Sequence, residues 1–274
     1  MTDHDLSGYE KSTFAYGGTE RRILRRGTGP AVIVMAEIPG ITPKVLEFAD
    51  RVAAIGCTAV LPVLFGEPGR DPRPEAHGML SAGRYAASSM LKVCVSREFT
   101  LLATGRSSRV VAWLRALAAH EHERCGGPGV GAVGMCLTGG FALAMATDPR
   151  LVAPVLSQPS LPVAVSAGRS RVIDISPAEL AVVRGRCERE GLQVMGLRFK
   201  GDKFVPGDRF AFLRRELGEA FVAVELEDGT ANPEGVLPPH SVLTEHLIDT
   251  PGEPTRAALD QVLGLFRTRL LAAP

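Results

Sequence analysis

The segment Val130–Ala146 constrains the fold most, because it joins a strand-like run to a helix-like run through a short glycine-rich turn. Val130–Met135 is apolar, and from Phe141 onward the residues are again small or apolar. The turn Gly134–Gly140 reads GMCLTGG and carries a thiol, Cys136, close to its tip. A thiol near a helix N-terminus favours its thiolate form. The segment therefore predicts a strand–nucleophile–helix junction, with a buried structural cysteine as the alternative.

A second glycine pattern in the same region points to a different function. Residues Gly129–Gly134 match G-x-G-x-x-G, the fingerprint of dinucleotide-binding proteins. That fingerprint requires a buried strand before its first glycine. Here the preceding residues, His120 to Pro128, are polar, so the glycines belong to the strand itself. A dinucleotide-binding oxidoreductase is therefore disfavoured, and we expect no cofactor.

Composition excludes several partner classes. The 274 residues are 45% apolar and carry a net charge of +1, which supports a packed globule and argues against binding nucleic acid or an anionic membrane. No apolar run reaches the length of a membrane span, and the polar N-terminus does not resemble a signal peptide. The five cysteines are scattered, as is typical of reduced thiols. We expect a cytoplasmic monomer or homodimer that acts on a small molecule.

The order of apolar runs predicts an α/β fold. Continuous apolar runs, typical of parallel strands buried on both faces, alternate with helix-like segments, which indicates a doubly wound, mostly parallel sheet in a three-layer sandwich. The strand-like runs are Ala31–Ala36, Thr58–Val63, Val130–Met135, Val152–Leu156, Leu192–Phe199 and Phe221–Leu226. The helix-like segments include 43–55, Ala82–Ala103, Ser107–His122, Pro177–Glu190, Pro206–Leu217 and Thr255–Leu271. A hairpin is predicted over Thr13–Arg26. We expect residues 1–12 to be a loose lead-in and 13–274 to form one domain.

Chemically active residues follow four of the predicted strands. In parallel sheets, functional residues gather at the carboxyl ends of strands. Glu37 follows the first parallel strand, Cys136 the third and Asp202 the fifth, and His240 lies on the loop after the last strand. The chain order of nucleophile, acid and histidine is that of α/β-hydrolases. Cys136, Asp202 and His240 therefore predict a catalytic triad.

These motifs in combination resemble those of the dienelactone hydrolase family. The family elbow is similar to G-x-C-x-G-G, which Gly134–Gly140 matches with its glycines displaced by one residue. The acid of the family lies in a stretch similar to Gly201–Pro206, GDKFVP, and its histidine precedes a serine, as in His240-Ser241. Glu37 also matches a glutamate of the family. The resemblance runs from about residue 31 to 247.

The resemblance implies an α/β-hydrolase fold and hydrolysis of a small ester, thioester or lactone. It further implies that Glu37 interacts with the resting Cys136 thiol and that substrate binding frees the thiolate to pair with the His240 imidazolium. The amides of Ile38 and Leu137 would form the oxyanion hole.

The chain departs from the family at one position. An arginine that helps to hold the substrate carboxylate stands four residues after the family histidine, where this chain has Thr244. A second family arginine could correspond to Arg84 or Arg97. Dienelactone itself is therefore in doubt as a substrate, whereas hydrolysis of an ester, thioester or lactone is not.

Other residues could carry parts of this chemistry. His246 is a rival to His240, but its neighbours are typical of a helix start and triad histidines lie on loops. Asp208 and Asp228 are rival acids, one inside a predicted helix and the other in an Asp-Gly turn.

We expect no metal site and no second reactive thiol. The H-x-H-x-x-C set of His120, His122 and Cys125 lies at a charged helix end and is short of the four ligands of structural zinc. The cysteines interpreted as structural or incidental are Cys57, Cys94, Cys125 and Cys187. The main functional alternative is a hydrolase-like protein with weak turnover that binds a ligand or partner.

Overall fold

A computed structural model describes residues 5–72, 108–235 and 238–272. The strands are β1 (Glu10–Tyr16), β2 (Thr19–Gly27), β3 (Ala31–Met35), β4 (Thr58–Pro62), β5 (Val130–Met135), β6 (Leu151–Ser157), β7 (Val194–Phe199) and β8 (Phe221–Leu226). The helices are α1 (Pro43–Ala54), α2 (Arg109–Cys125), α3 (Gly139–Met145), α4 (Ala167–Ser170), α5 (Pro177–Glu190), α6 (Gly207–Leu217) and α7 (Pro254–Phe266). No helix within these ranges is long and apolar enough to cross a membrane.

The eight strands form one sheet in the order β1-β2-β4-β3-β5-β6-β7-β8. The pairs β1–β2 and β2–β4 are antiparallel, and every other pair is parallel. The order reverses at β3 and β5, so the loops after these two strands lie side by side at one edge of the sheet. This topology confirms the predicted doubly wound α/β fold.

Alternating residues of β3 place one apolar core on each face of the sheet. Ile33 and Met35 pack in a core with side chains of α2, α3, α5 and α6, whereas Val32 and Val34 pack in a second core with side chains of α1 and α7. Side chains on successive strand residues point to opposite faces. Both faces are therefore covered, which produces three layers and explains why the strand is apolar throughout.

The N-terminal hairpin begins earlier than predicted. β1 starts at Glu10, inside the segment predicted to be a loose lead-in, and Tyr9 is buried. The Tyr9 hydroxyl donates a hydrogen bond to Asp50 at 2.6 Å and also lies 3.2 Å from the Leu46 carbonyl oxygen. These contacts with α1 anchor the chain before the strand. The turn between the strands contains Gly17 and Gly18, both with positive φ, as predicted for the hairpin.

Two further differences concern helices. The predicted Ser107–His122 helix begins at Arg109, and the Ser108 hydroxyl caps it by accepting a hydrogen bond from the Val110 amide at 3.2 Å. The predicted helix Ala82–Ala103 lies outside the described residues. Around His246, where a helix start is predicted, the chain forms turns instead.

Candidate active site

Cys136 lies at the tip of a tight turn between β5 and α3. It has a φ of 56°, a left-handed value that a residue with a side chain rarely adopts. A Cβ atom at Gly134 would collide with the Thr138 carbonyl oxygen, and one at Gly139 would approach the Pro159 Cα within 2.6 Å. Glycine is therefore required on both sides of the thiol, at Gly134 for the tight turn itself and at Gly139 for the close approach of the loop after β6. The geometry is that of a nucleophile elbow.

Thr138 explains why the second glycine of the elbow is displaced. Its hydroxyl accepts a hydrogen bond from the Met135 amide at 2.8 Å and contacts the Met35 and Met135 carbonyl oxygens, each at 2.9 Å. The Thr138 side chain is fully buried. It therefore ties the turn to the end of β3, at the position where the family pattern has glycine.

His240 and Asp202 form a buried hydrogen-bonded pair. The Nδ1 atom of His240 lies 2.6 Å from Oδ2 of Asp202, and both side chains are buried. The other carboxylate oxygen, Oδ1, accepts a hydrogen bond from the Phe204 amide at 2.9 Å. The carboxylate is thus held by its own loop while it fixes Nδ1 of the imidazole, which leaves Nε2 free to act on a substrate or nucleophile.

The electrostatic surroundings of His240 favour its charged form. Burial opposes the imidazolium, yet hydrogen bonds to Asp202 and Cys136 and the negative charges of both groups outweigh that effect and raise the pKa of His240 to about 10. Cys136 and Asp202 therefore act on the same ring, and the three predicted triad residues are brought together.

Ser160 is a further neighbour of the thiol that the sequence analysis did not identify. Its Oγ atom lies 3.3 Å from Sγ of Cys136, and its backbone amide donates to the Cys136 carbonyl at 3.0 Å. Ser160 follows β6 at its carboxyl end, so the strand-end rule that selected the other residues could have found it.

Glu37 lies in a buried polar network and not against the thiol. Oε2 accepts hydrogen bonds from Ser241 Oγ at 2.6 Å and from Gln158 Nε2 at 3.1 Å, and Oε1 accepts one from Thr244 Oγ1. Within the described residues, no hydrogen bond joins Glu37 to Cys136. The carboxylate therefore connects the end of β3 to the loop that carries His240.

His246 supports the His240 loop from behind. Its Nδ1 atom accepts hydrogen bonds from the backbone amides of Ser241 at 3.1 Å and His240 at 3.4 Å. The His246 ring is buried. These bonds close the turn where a helix start is predicted.

The two rival acids, Asp208 and Asp228, interact with residues other than His240. Asp208 is exposed and pairs with Arg171 at 3.3 Å, whereas Asp228 accepts a hydrogen bond from the Gly201 amide at 2.8 Å. Neither carboxylate hydrogen-bonds the His240 ring.

The two amides assigned to the oxyanion hole lie at adjacent strand ends. Ile38 directly follows Glu37 after β3, and Leu137 directly follows Cys136 after β5. Both residues are half-buried. The two residues predicted as candidates for binding a substrate carboxylate, Arg84 and Arg97, lie outside the described residues.

Arg209 is a second residue that the sequence analysis missed. It is fully buried and donates to backbone carbonyl oxygens, including those of Pro159 at 2.6 Å, Pro162 at 2.5 Å and Phe204 at 3.3 Å. Burial lowers the pKa of Arg209 to about 10, against the opposing charges of nearby carboxylates. The guanidinium therefore fastens the Ser160 loop to the loop that carries Asp202. An arginine within an amphipathic helix gives no sequence signal of such a role.

Burial governs the ionisation of the other described thiols. Burial raises the pKa of Cys57 to about 11 and also raises those of Cys125 and Cys187, which disfavours their thiolates. Cys94 lies outside the described residues. His122 contacts the Gly127 carbonyl at 3.0 Å. In the described part of the chain, no group of three or more His, Cys, Asp or Glu side chains is arranged to hold a metal ion.

Comparison with solved structures supports the fold. A dienelactone hydrolase candidate from Klebsiella pneumoniae subsp. pneumoniae is 18% identical with a TM-score of 0.60, over 94% of this chain and 97% of that one. A dienelactone hydrolase-like promiscuous phosphotriesterase from metagenomic libraries is 17% identical with a TM-score of 0.59, over 96% and 98%. A cold-adapted esterase from an Arctic intertidal metagenomic library is 13% identical with a TM-score of 0.54, over 98% and 97%.

Comparison by sequence identifies the family. No functionally curated protein matches the chain. The model of the dienelactone hydrolase family matches residues 21–164, more than half of the chain, and this range contains the elbow and Glu37. Together with the confirmed fold, the match establishes that the chain belongs to the dienelactone hydrolase family of ester hydrolases.

Proposed function

We propose that the chain is a cysteine-dependent hydrolase of a small carboxylic ester, thioester or lactone. The observation that carries the proposal is the His240–Asp202 hydrogen bond of 2.6 Å together with the interaction of the same ring with Cys136. Nucleophile, base and orienting acid within one connected set are what covalent acyl transfer requires.

In the acylation step, the Cys136 thiol gives its proton to Nε2 of His240, and Sγ attacks the carbonyl carbon while the carbonyl π-electron pair moves onto the oxygen. The amides of Ile38 and Leu137 are proposed to bind this oxyanion, a contribution that is typically worth about 2.7–4 kcal/mol per donor. When the oxyanion collapses, the carbon–oxygen bond to the alcohol breaks, or the carbon–sulfur bond in a thioester. The His240 imidazolium then donates its Nε2 proton to the leaving group.

In the deacylation step, His240 takes a proton from water, and the resulting hydroxide attacks the acyl-thioester carbon. Collapse of the second oxyanion breaks the bond to sulfur and releases the acid. Asp202 holds Nδ1–H throughout, so Nε2 exchanges protons in both steps. The elbow holds the half-buried thiol at the tip of its turn, where both the ester and the water are proposed to reach it.

The residue at position 244 favours a substrate without a carboxylate. Its hydroxyl contacts Glu37, so the position that would carry a family arginine offers no positive charge. Arg209 lies beneath the loops of the site. Its guanidinium donates to backbone carbonyls, so we do not assign it to binding a substrate carboxylate. At the rim, the Phe204 ring lies 5.6 Å from the His240 ring and is 57% exposed. This surface suits an apolar acyl or alkoxy group.

A burst experiment tests the proposal. Mixing the enzyme with p-nitrophenyl acetate should release a rapid burst of nitrophenol, about one equivalent per active site, as the acyl-enzyme forms. Iodoacetamide should abolish the burst, and Cys136→Ala should lack it while keeping the same thermal unfolding curve. Cys187→Ala is the matched control and should retain it. Turnover that persists in Cys136→Ala contradicts the assignment of Cys136 as the nucleophile. Absence of turnover in a folded wild-type protein favours the alternative that the chain binds a ligand or partner without hydrolysing it.

A further inference from the structure

The resting thiol of Cys136 has a hydroxyl as its neighbour. Ser160 Oγ lies 3.3 Å from Sγ, within range of a hydrogen bond to sulfur. Ser160 is 6% exposed, and within the described residues this contact is the hydrogen bond made by its hydroxyl. A buried hydroxyl without a hydrogen-bond partner costs free energy, so the contact between the Ser160 hydroxyl and the sulfur is favoured.

The Ser160 backbone is fixed against the elbow. Its amide donates to the Cys136 carbonyl, and the carbonyls of Pro159 and Pro162 on either side both accept hydrogen bonds from Arg209. Because Arg209 is fully buried and part of α6, these bonds restrain the loop from below. The hydroxyl is therefore preorganised beside the thiol rather than brought there by chance rotation of a loose loop.

Glu37 is not available for the same contact. Its two carboxylate oxygens accept three hydrogen bonds, from Ser241, Gln158 and Thr244. Turning the carboxylate toward Cys136 would leave these three buried donors unpaired. A carboxylate close to sulfur would also oppose ionisation of the thiol by like-charge repulsion, whereas a hydroxyl donor stabilises the thiolate.

We infer that the Ser160 hydroxyl donates a hydrogen bond to the Cys136 thiolate and, together with the His240 imidazolium, keeps the nucleophile ionised before substrate binds. The thiol proton passes to Nε2 of His240, and Ser160 supplies the second donor to sulfur. Activation then requires no movement of Glu37, which acts as a positioning residue for the His240 loop. This inference rests on the proposed role of Cys136 as the nucleophile.

The test measures thiol ionisation separately from turnover. The rate of alkylation of the Cys136 peptide by iodoacetamide is followed by mass spectrometry as a function of pH, in the full-length protein without substrate. Ser160→Ala should raise the midpoint of this profile by about one pH unit, which corresponds to about 1.4 kcal/mol. Alkylation below the midpoint should slow by about tenfold. Ser160→Thr keeps the hydroxyl and should restore much of the rate.

Two comparisons make the outcome specific. Ser166→Ala removes a hydroxyl from the same loop away from the thiol and should leave the profile unchanged. Glu37→Gln should not move the midpoint to lower pH, because the carboxylate bonds elsewhere and does not repel the thiolate. Thermal unfolding establishes that each variant is folded, and Ser160→Gly provides the same deletion if Ser160→Ala fails to fold.

The inference is overturned if the Ser160→Ala profile coincides with the wild-type profile, or if Glu37→Gln moves the midpoint to lower pH. Failure of the proposed function looks different, since Cys136→Ala would then retain ester turnover. If Cys136→Ala is inactive and Ser160→Ala alkylates like the wild type, only the inference about Ser160 fails.

Discussion

Substitution of Asp202 by asparagine removes the negative charge beside the His240 ring and leaves a side chain of nearly the same shape. Raising the pKa of His240 from 6.5 to about 10 corresponds to roughly 5 kcal/mol, at about 1.4 kcal/mol per pH unit. Asp202 shares this stabilisation with Cys136, and its Oδ2 lies 2.6 Å from Nδ1 of the ring. If about half belongs to the carboxylate, its loss lowers kcat/KM by about 10² through imidazolium stability alone.

The new side chain also changes the tautomer. An amide can donate its N–H to Nδ1 of His240, which places the ring proton on Nε2, the nitrogen that has to accept a proton from the nucleophile or water. A comparable substitution in a serine protease triad lowers kcat by about 10⁴ through this effect. We therefore expect Asp202→Asn to reduce kcat/KM by between about 10² and about 10⁴.

The assay is steady-state hydrolysis of p-nitrophenyl acetate at neutral pH, with thermal unfolding as the check on folding. Asp208→Asn is the matched control, because Asp208 is exposed and pairs with Arg171 away from the ring. Its activity should stay within about twofold of the wild type. Folded Asp202→Asn enzyme with activity within about threefold of the wild type would refute the role given to this carboxylate.

Three further outcomes are expected. For two matched lactones, one with and one without a carboxylate, kcat/KM should be at least as high for the neutral lactone. Thr244→Arg should change the ratio of the two kcat/KM values about tenfold in favour of the carboxylated lactone. A strong wild-type preference for the carboxylated lactone that Arg84→Ala or Arg97→Ala removes would contradict this prediction. Gly134→Ala should lower the free energy of unfolding in urea by about 2 kcal/mol or more, because its Cβ meets a backbone carbonyl of the elbow; unchanged stability would argue against the close approach. The folded-state pKa of His240 lies above the ordinary value, so its contribution to stability is complete below about pH 6.5 and is lost as pH rises toward about 10. In urea unfolding, the free energy of unfolding of His240→Gln should therefore fall less than that of the wild type across this pH interval. Equal decreases in the two proteins would contradict the direction of this pKa shift.

Local sequence patterns predicted most of the elements. The helix Pro177–Glu190 and the strand Phe221–Leu226 have the bounds expected from the sequence. Apolar period, proline at the first helical turn and glycine after the last are properties of neighbouring residues, so they can be recognised in one sequence. The same holds for the elbow, because the glycines that permit a φ of 56° at Cys136 lie within a few residues of it.

Partners separated by long stretches of sequence were decided by the tertiary structure alone. Glu37 is predicted to interact with the resting thiol, but its carboxylate contacts Ser241 and Thr244 more than 200 residues away. The parallel strands bring their carboxyl ends to one edge of the sheet, and the rotamers that satisfy all buried polar groups then decide which side chains meet. The hydroxyl of Ser160 beside the thiol follows from that same packing. Residue order is enough to predict which strand ends carry reactive groups. Which of these groups touch depends on the packing of the folded chain, since hydrogen bonds require ångström distances that residue spacing does not encode.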